Sequence, residues 1–373
     1  MRMFVLWSFF LTAIAVQEVY DLEYNNVVIN LKVGTPAQNV YTRVSLTTDV
    51  IFIVSAHCGE LNTLECPRYC YDPSLSKMYC RAECLEIDEI EWCNKPVYTH
   101  YLKYFDYFNS STFELTDRFW MNTLENRLSQ IGQWARETIS FPPLDFTNSL
   151  PLELDKWKMI NGMSVDPKLI YKVSAILGLA PGKSNFVHLL FEQNRIPNPV
   201  ISITNDRMTI GDYNQQVCSH WRHWKAEGSN WILRFDSVQF YNQTMNTNVL
   251  VTFDMTTYNM FIPDELFDGL VESGIILGRS VEHYYIPCKT ILELTLTRDG
   301  HQFLIPSSRL IRPLGYKICY TQIAPFRKWQ NARHLYDDEP NWILNADLLN
   351  DFCIAFNYET NEIGIADSID SLP

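Results

Sequence analysis

No run of lysines and arginines occurs anywhere in this chain, and charged residues make up only 20% of it. With 30 Lys plus Arg against 43 Asp plus Glu, the formal charge is −13. Nothing here could neutralise a phosphate backbone, so nucleic acid is excluded as a partner class. Long apolar runs are missing too: the stretch Met3 to Ala15 is too short to span a bilayer, so no membrane span is expected. Regular alternation of strand and helix patterns is absent, which argues against a parallel α/β sheet. No cofactor motif is visible and no cofactor is expected. The histidines, His57 and His188 among them, lack a Ser/Asp or Cys/Asp framework for a nucleophilic mechanism.

What is present is a chain of 373 residues with 47% hydrophobic content, enough to bury a large core in about two domains. Arg2, the apolar stretch that follows and the exit Ala13-Ile14-Ala15 have the form of a secretory signal over residues 1–15. A buried N-terminal helix is the competing reading, but its apolar residues would surround the axis and leave no charged face. The mature chain then begins near Val16 and is secreted, into the extracellular space or the endo-lysosomal lumen.

Six of the ten cysteines, Cys58, Cys66, Cys70, Cys80, Cys84 and Cys93, crowd into one stretch. Cys66/Cys70 and Cys80/Cys84 could be written as zinc pairs. Secretion and the even count favour a disulfide-stapled loop, whose pairing the sequence leaves open. Asn109-Ser110-Ser111 and Asn242-Gln243-Thr244 are glycosylation acceptors that fit the same compartment.

The chain reads mainly as β-structure. Asn26 to Val33, Val50 to Val54, Pro199 to Ile203, Trp231 to Phe240 and Leu250 to Phe253 are short runs of branched and aromatic residues bounded by Gly, Pro and Asn. Helical spacing is confined to Asn185 to Gln193 and Glu265 to Val271. A faint duplication runs through it: Val44 to Ile53 lines up without a gap on Phe253 to Ile262, and Ile176-Leu177-Gly178 echoes Ile343-Leu344-Asn345.

Val33-Gly34-Thr35-Pro36-Ala37-Gln38 stands before the first copy, and Ala175-Ile176-Leu177-Gly178-Leu179-Ala180 closes the first half. Trp342-Ile343-Leu344 and Asn361-Glu362-Ile363-Gly364-Ile365-Ala366 close the second. In that order the chain resembles the pepsin-like aspartic proteases (peptidase A1 domain), and its cysteine-rich insertion is similar to secreted nematode members. The resemblance implies an all-β fold with a few short helices, two β-barrel-like lobes and a cleft between them. The lobes would span 16–200, with the cysteine-rich insertion at 58–93, and 201–373. It also implies a monomer with a Cys288–Cys319 disulfide, which leaves Cys218 and Cys353 as candidates to pair.

The family's chemistry needs two carboxylates that share one proton, so that one activates water while the other donates to the peptide carbonyl. In the second half the required Asp is Asp254. In the first half the same place holds Ser45. Asp49 lies four residues further along that loop, and bringing it into the dyad would slip the strand Ile51-Phe52-Ile53 out of register. The motif glycine is Thr47 in one copy and Thr256 in the other, the flap tyrosine falls on Glu125, and the closing Gly-Asp becomes Asn345-Ala346.

Val16 also runs almost directly into Tyr20 to Tyr24, which resembles the start of the mature domain and leaves no room for an inhibitory pro-segment. Cys218, His220 and His223 sit close in sequence, but their spacing is unlike a closed zinc site and an aromatic surface strand is expected there instead. No metal is expected. The implied function is a catalytically inactive homologue whose cleft binds extended polypeptide. The alternatives are a weak endopeptidase that uses Asp254 with a substitute such as Glu125, and a secreted structural or inhibitory glycoprotein.

Overall fold

The computed structural model describes residues 15–18, 20–22, 26–56, 104–124, 127–141, 152–165, 173–182, 185–204, 207–228, 230–246, 249–257, 259–279, 283–314, 317–327 and 340–368. Residues 1–14, which hold all but the last residue of the expected signal, the cysteines from Cys58 to Cys93 and Glu125 lie outside the described residues.

The first half supplies β1 (Ala15–Glu18), β2 (Tyr20–Leu22), β3 (Asn26–Val33), β4 (Gln38–Ser45), β5 (Ile51–Val54), β6 (Glu114–Leu124), β7 (Arg127–Phe141), β8 (Leu152–Val165), β9 (Ala175–Gly178), β10 (Val200–Ile203) and β11 (Arg207–Ile210). The second half begins with β12 (Cys218–Lys225), β13 (Ile232–Phe235), β14 (Ser237–Phe240), β15 (Gln243–Met245), β16 (Val249–Asp254), β17 (Met260–Ile262), β18 (Gly278–Arg279) and β19 (Tyr284–Pro287). It continues with β20 (Leu294–Arg298), β21 (His301–Ile305), β22 (Ile311–Pro313), β23 (Ile318–Thr321), β24 (Ile323–Pro325), β25 (Trp342–Asn345), β26 (Phe352–Asn357) and β27 (Glu362–Ser368).

Local chemistry accounts for these elements. In β21, Phe303 and Ile305 are buried while His301, Gln302 and Leu304 face solvent, the two-residue period of a half-buried strand. The helix Phe186–Glu192 starts where the Asn185 side chain accepts from the Val187 N–H at 2.9 Å, and it buries Phe186, Val187 and Leu190. A second helix, Asp264–Glu272, follows Pro263, carries Asp264 and Glu265 in its first turn against the helix dipole, and buries Leu266, Phe267 and Leu270. The stretch Trp231 to Phe240, expected as one strand, is broken at Asp236. There the chain leaves β13, paired with β16, and enters β14, paired with β20 in another sheet. The Asp236 N–H is met by the Thr297 carbonyl at 2.9 Å.

An eight-stranded sheet in the order β2-β3-β4-β9-β5-β8-β7-β6 forms the body of the first half. The second half is built from a five-stranded sheet, β13-β16-β25-β17-β24, and two four-stranded ones, β15-β14-β20-β21 and β18-β19-β23-β22. A six-stranded sheet, β1-β11-β10-β26-β27-β12, joins them, with three strands from each half and one seam between, β10 against β26. This is the two-lobed all-β architecture that the resemblance implies.

The duplication is real in three dimensions. β4 runs parallel to β9 with Ser45 opposite Gly178, and β16 runs parallel to β25 with Asp254 opposite Asn345. Phe52 of β5 crosses Ile176 antiparallel, as Phe261 of β17 crosses Ile343. One apolar core cluster takes residues from both halves, and a smaller one of Phe52, Val54, Ile160 and Ile176 stands apart from it. Among the described residues no helix is long and apolar enough to cross a membrane.

Candidate functional site

Two loops follow β4 and β16, and each begins with the residue that the duplication makes equivalent, Ser45 and Asp254. Both are buried, at 4% and 0% exposure. The loops satisfy themselves in the same way. Ser45 Oγ lies 3.1 Å from Thr47 Oγ1 and accepts a long bond from the Thr47 N–H at 3.4 Å. Asp254 Oδ1 accepts from the Thr256 N–H at 2.9 Å and from the Thr256 hydroxyl at 2.6 Å. Each threonine thus places a hydroxyl against the residue that begins its own loop, where a glycine would place nothing. The intervening residues, Leu46 and Met255, turn inward and join the main core.

The loop after Ser45 is held from beneath. A Cβ built on Gly178 would come within 2.4 Å of the Thr48 carbonyl oxygen and 2.5 Å of that of Val50. Backbone cannot yield as a flexible side chain can, so Gly178→Ala is expected to destabilise by about 1–3 kcal/mol, read as a lowered urea midpoint. Asp49 is turned toward the same support: its Oδ2 would lie 3.2 Å from a Cβ on Gly182. The strand Ile51–Val54 stays in register, and no four-residue slip brings Asp49 to the place of Ser45.

A chain of hydrogen bonds joins the two loops through the body of the molecule. The Leu179 N–H donates to the Ser45 carbonyl at 2.7 Å. The Leu179 carbonyl accepts from Trp231 Nε1 at 2.7 Å and from the Tyr358 hydroxyl at 2.8 Å, both from the second half. The Trp231 carbonyl accepts from Thr252 Oγ1 at 2.9 Å, two residues before Asp254. Burial holds the Tyr358 phenol well above the ordinary tyrosine value, against an opposing hydrogen bond with Asn185, so it remains a neutral donor.

The paired strands β6 and β7 pack on the strand that follows the first loop; residues 125–126 between them lie outside the described residues. Trp120 of β6 packs on Phe52 of β5, ring centroids 5.7 Å apart. The sequence reading overlooked Trp120 and the Leu179–Trp231–Tyr358 junction. β6 reads Thr-Asp-Arg followed by Phe-Trp-Met, with no two-residue period to mark Trp120, and the junction joins residues 52 and 179 positions apart and leaves no local trace.

Cys218 is bonded to Cys353 and Cys288 to Cys319. Cys218 therefore offers no thiolate to a metal, and its strand β12 is the aromatic edge of the shared sheet. Among the described residues no group of three or more His, Cys, Asp or Glu side chains is placed to hold a metal ion. Asn242 is exposed in the turn between β14 and β15. Asn109 is exposed at the end of a 3-10 turn, where its Nδ2 donates to Asp106 Oδ2 at 2.6 Å.

A sequence model of the eukaryotic aspartyl protease family matches residues 27–368. A search of curated proteins finds no match to the chain.

Proposed function

The chain belongs to the eukaryotic aspartyl protease family, and from that premise we propose that it is a member without peptidase activity whose cleft holds an extended polypeptide. One observation carries this reading: Ser45 occupies, at the end of β4, the place that Asp254 occupies at the end of β16. A serine hydroxyl cannot share a proton with Asp254 as a second carboxylate does, and one carboxylate cannot both activate water and protonate the peptide carbonyl. The Thr256 N–H and hydroxyl both donate to Asp254 Oδ1, so that oxygen is engaged within its own loop. Binding has no such requirement: a strand-like ligand needs main-chain partners and apolar pockets.

The same reading has the chain secreted, with residues 1–15 removed, lobes over 16–200 and 201–373, sugars at Asn109 and Asn242, and a monomeric state. The disulfides support passage through an oxidising compartment.

Calorimetric titration with pepstatin and with a peptide library tests the proposal. Pepstatin places a hydroxyl between two carboxylates, so the loss of one removes a charge-assisted bond worth roughly 1.5–3 kcal/mol. At about 1.4 kcal/mol per factor of ten, its affinity should fall at least tenfold below that for an intact dyad, while extended peptides still bind. Nanomolar pepstatin binding would count against the inactive-site reading. Absence of every cleft ligand would favour a structural or inhibitory glycoprotein.

A further inference from the structure

The four-stranded sheet β18-β19-β23-β22 turns an apolar face to solvent. In β19 and β23 the buried residues are Tyr284, Ile286, Cys319 and Thr321. Between them Tyr285, Pro287, Ile318 and Tyr320 point the other way, Tyr285 opposite Tyr320 and Pro287 opposite Ile318. In the other four-stranded sheet the outward residues Gln239, Thr295, Thr297 and Gln302 are polar, with Leu304 among them. A solvated sheet face is ordinarily of that polar kind.

Three aliphatic side chains extend the apolar face where β19 ends and β23 begins. Ile291 is 66% exposed, Leu314 58% and Ile318 49%. Ile291 directly follows the turn in which the Thr290 N–H donates to the Pro287 carbonyl at 3.0 Å, and the Leu314 N–H donates to the Ile318 carbonyl at 3.2 Å. The two segments are tied together by the Cys288–Cys319 bond and by the Cys288 N–H, which donates to the Lys317 carbonyl at 3.3 Å. Lys289 and Lys317, both exposed, adjoin the aliphatic residues in the chain, and among the described residues neither has an ion-pair partner. Residues 287–292 and 313–322 contain no Asp or Glu, in a chain of formal charge −13.

We propose that this end of the second half docks on a lipid surface that carries acidic headgroups: Ile291, Leu314 and Ile318 enter the boundary between headgroups and acyl chains, and Lys289 and Lys317 meet the headgroups. A stable protein partner needs about 800 Å² on each side, centred on aromatic or arginine anchors, whereas here the most exposed apolar groups are separate aliphatic side chains beside turns. A lipid boundary accepts such side chains to a depth of about 5–10 Å, and lysine stems can follow them while the ammonium groups reach back to the headgroups. The disulfide already fixes one segment against the other, so docking has little left to order. Beyond about 8 Å at physiological salt the acidic remainder of the surface is screened, and the nearby lysines set the sign of the attraction. Docking here is independent of what the cleft holds.

The test is co-sedimentation of the full mature protein with phosphatidylcholine vesicles, with and without phosphatidylserine. Wild type is expected to partition onto both and to prefer those with phosphatidylserine. Burying one aliphatic side chain is worth a factor of about ten or more, so Ile291→Ser/Leu314→Ser/Ile318→Ser should weaken partition at least tenfold. These side chains are exposed, and an unchanged urea midpoint checks that the variant is folded. Lys289→Gln/Lys317→Gln serves as a second, independent variant: it should still bind phosphatidylcholine but lose the preference for phosphatidylserine, about fivefold per lysine. Leu304→Ser, on the other sheet, should leave partition unchanged. Wild type that sediments with neither vesicle would overturn lipid docking, as would equal partition by wild type and the serine variant or a phosphatidylserine preference unchanged in the lysine variant. Retention on immobilised polyglutamate without vesicle binding, lost in the lysine variant, would overturn it too and give the face to an acidic protein.

Discussion

Purified mature protein is expected to leave an unfolded protein substrate uncut between pH 3 and pH 7, and Ser45→Asp alone is not expected to bring it to the rate of an intact dyad. Groups that act as a unit lose on the order of 10⁴-fold or more when one is removed, so residual turnover should lie near background. Restoring the carboxylate at position 45 leaves the Thr256 hydroxyl bonded to Asp254 Oδ1 and the Thr47 side chain beside the new Asp. Ser45→Asp combined with Thr47→Gly and Thr256→Gly should therefore cleave faster than Ser45→Asp by itself. Detectable cleavage by the wild type, abolished by Asp254→Asn, would mean that Asp254 works with a substitute and that the inactive reading is wrong.

The second large effect is on stability. Cys218 and Cys353 are 135 residues apart, so their bond closes a loop that contains most of the second half. In the chain-entropy description such a loop stabilises by about 5 kcal/mol, and the Cys288–Cys319 loop, with a separation of 31, by about 3–4 kcal/mol. Set against a total of about 5–15 kcal/mol for a folded protein, either is a large share. Replacing both Cys218 and Cys353 by Ser should lower the free energy of unfolding in urea by more than the same change at Cys288 and Cys319. Equal urea midpoints for wild type and the Cys218/Cys353 variant would show that the loop is restrained by other means.

The parts of the fold legible in the sequence were those whose cause is local. The helix Phe186–Glu192 announced itself through Asn185 and the spacing of Phe186, Val187 and Leu190. Ser45 could be aligned with Asp254 because the two strand-turn-strand elements have equal length, and their matching registers beside β9 and β25 follow from that equality. The break at Asp236 was not legible, because the residues on both sides have strand character and only the choice of partner, β16 or β20, separates them.

The seam between β10 and β26 has a consequence for how the protein is made. β10 ends at Ile203 and its partner begins at Phe352, about 150 residues later. At about 5–20 residues per second, translation takes roughly 8–30 s to cover that distance. All four residues of β10 are buried in the finished protein, and until β26 arrives they present an open, apolar strand edge. Such an edge pairs readily with other chains. The yield of native protein should therefore depend on how crowded the nascent chains are and on whether a chaperone covers β10 in that interval, more than on the stability of the completed fold.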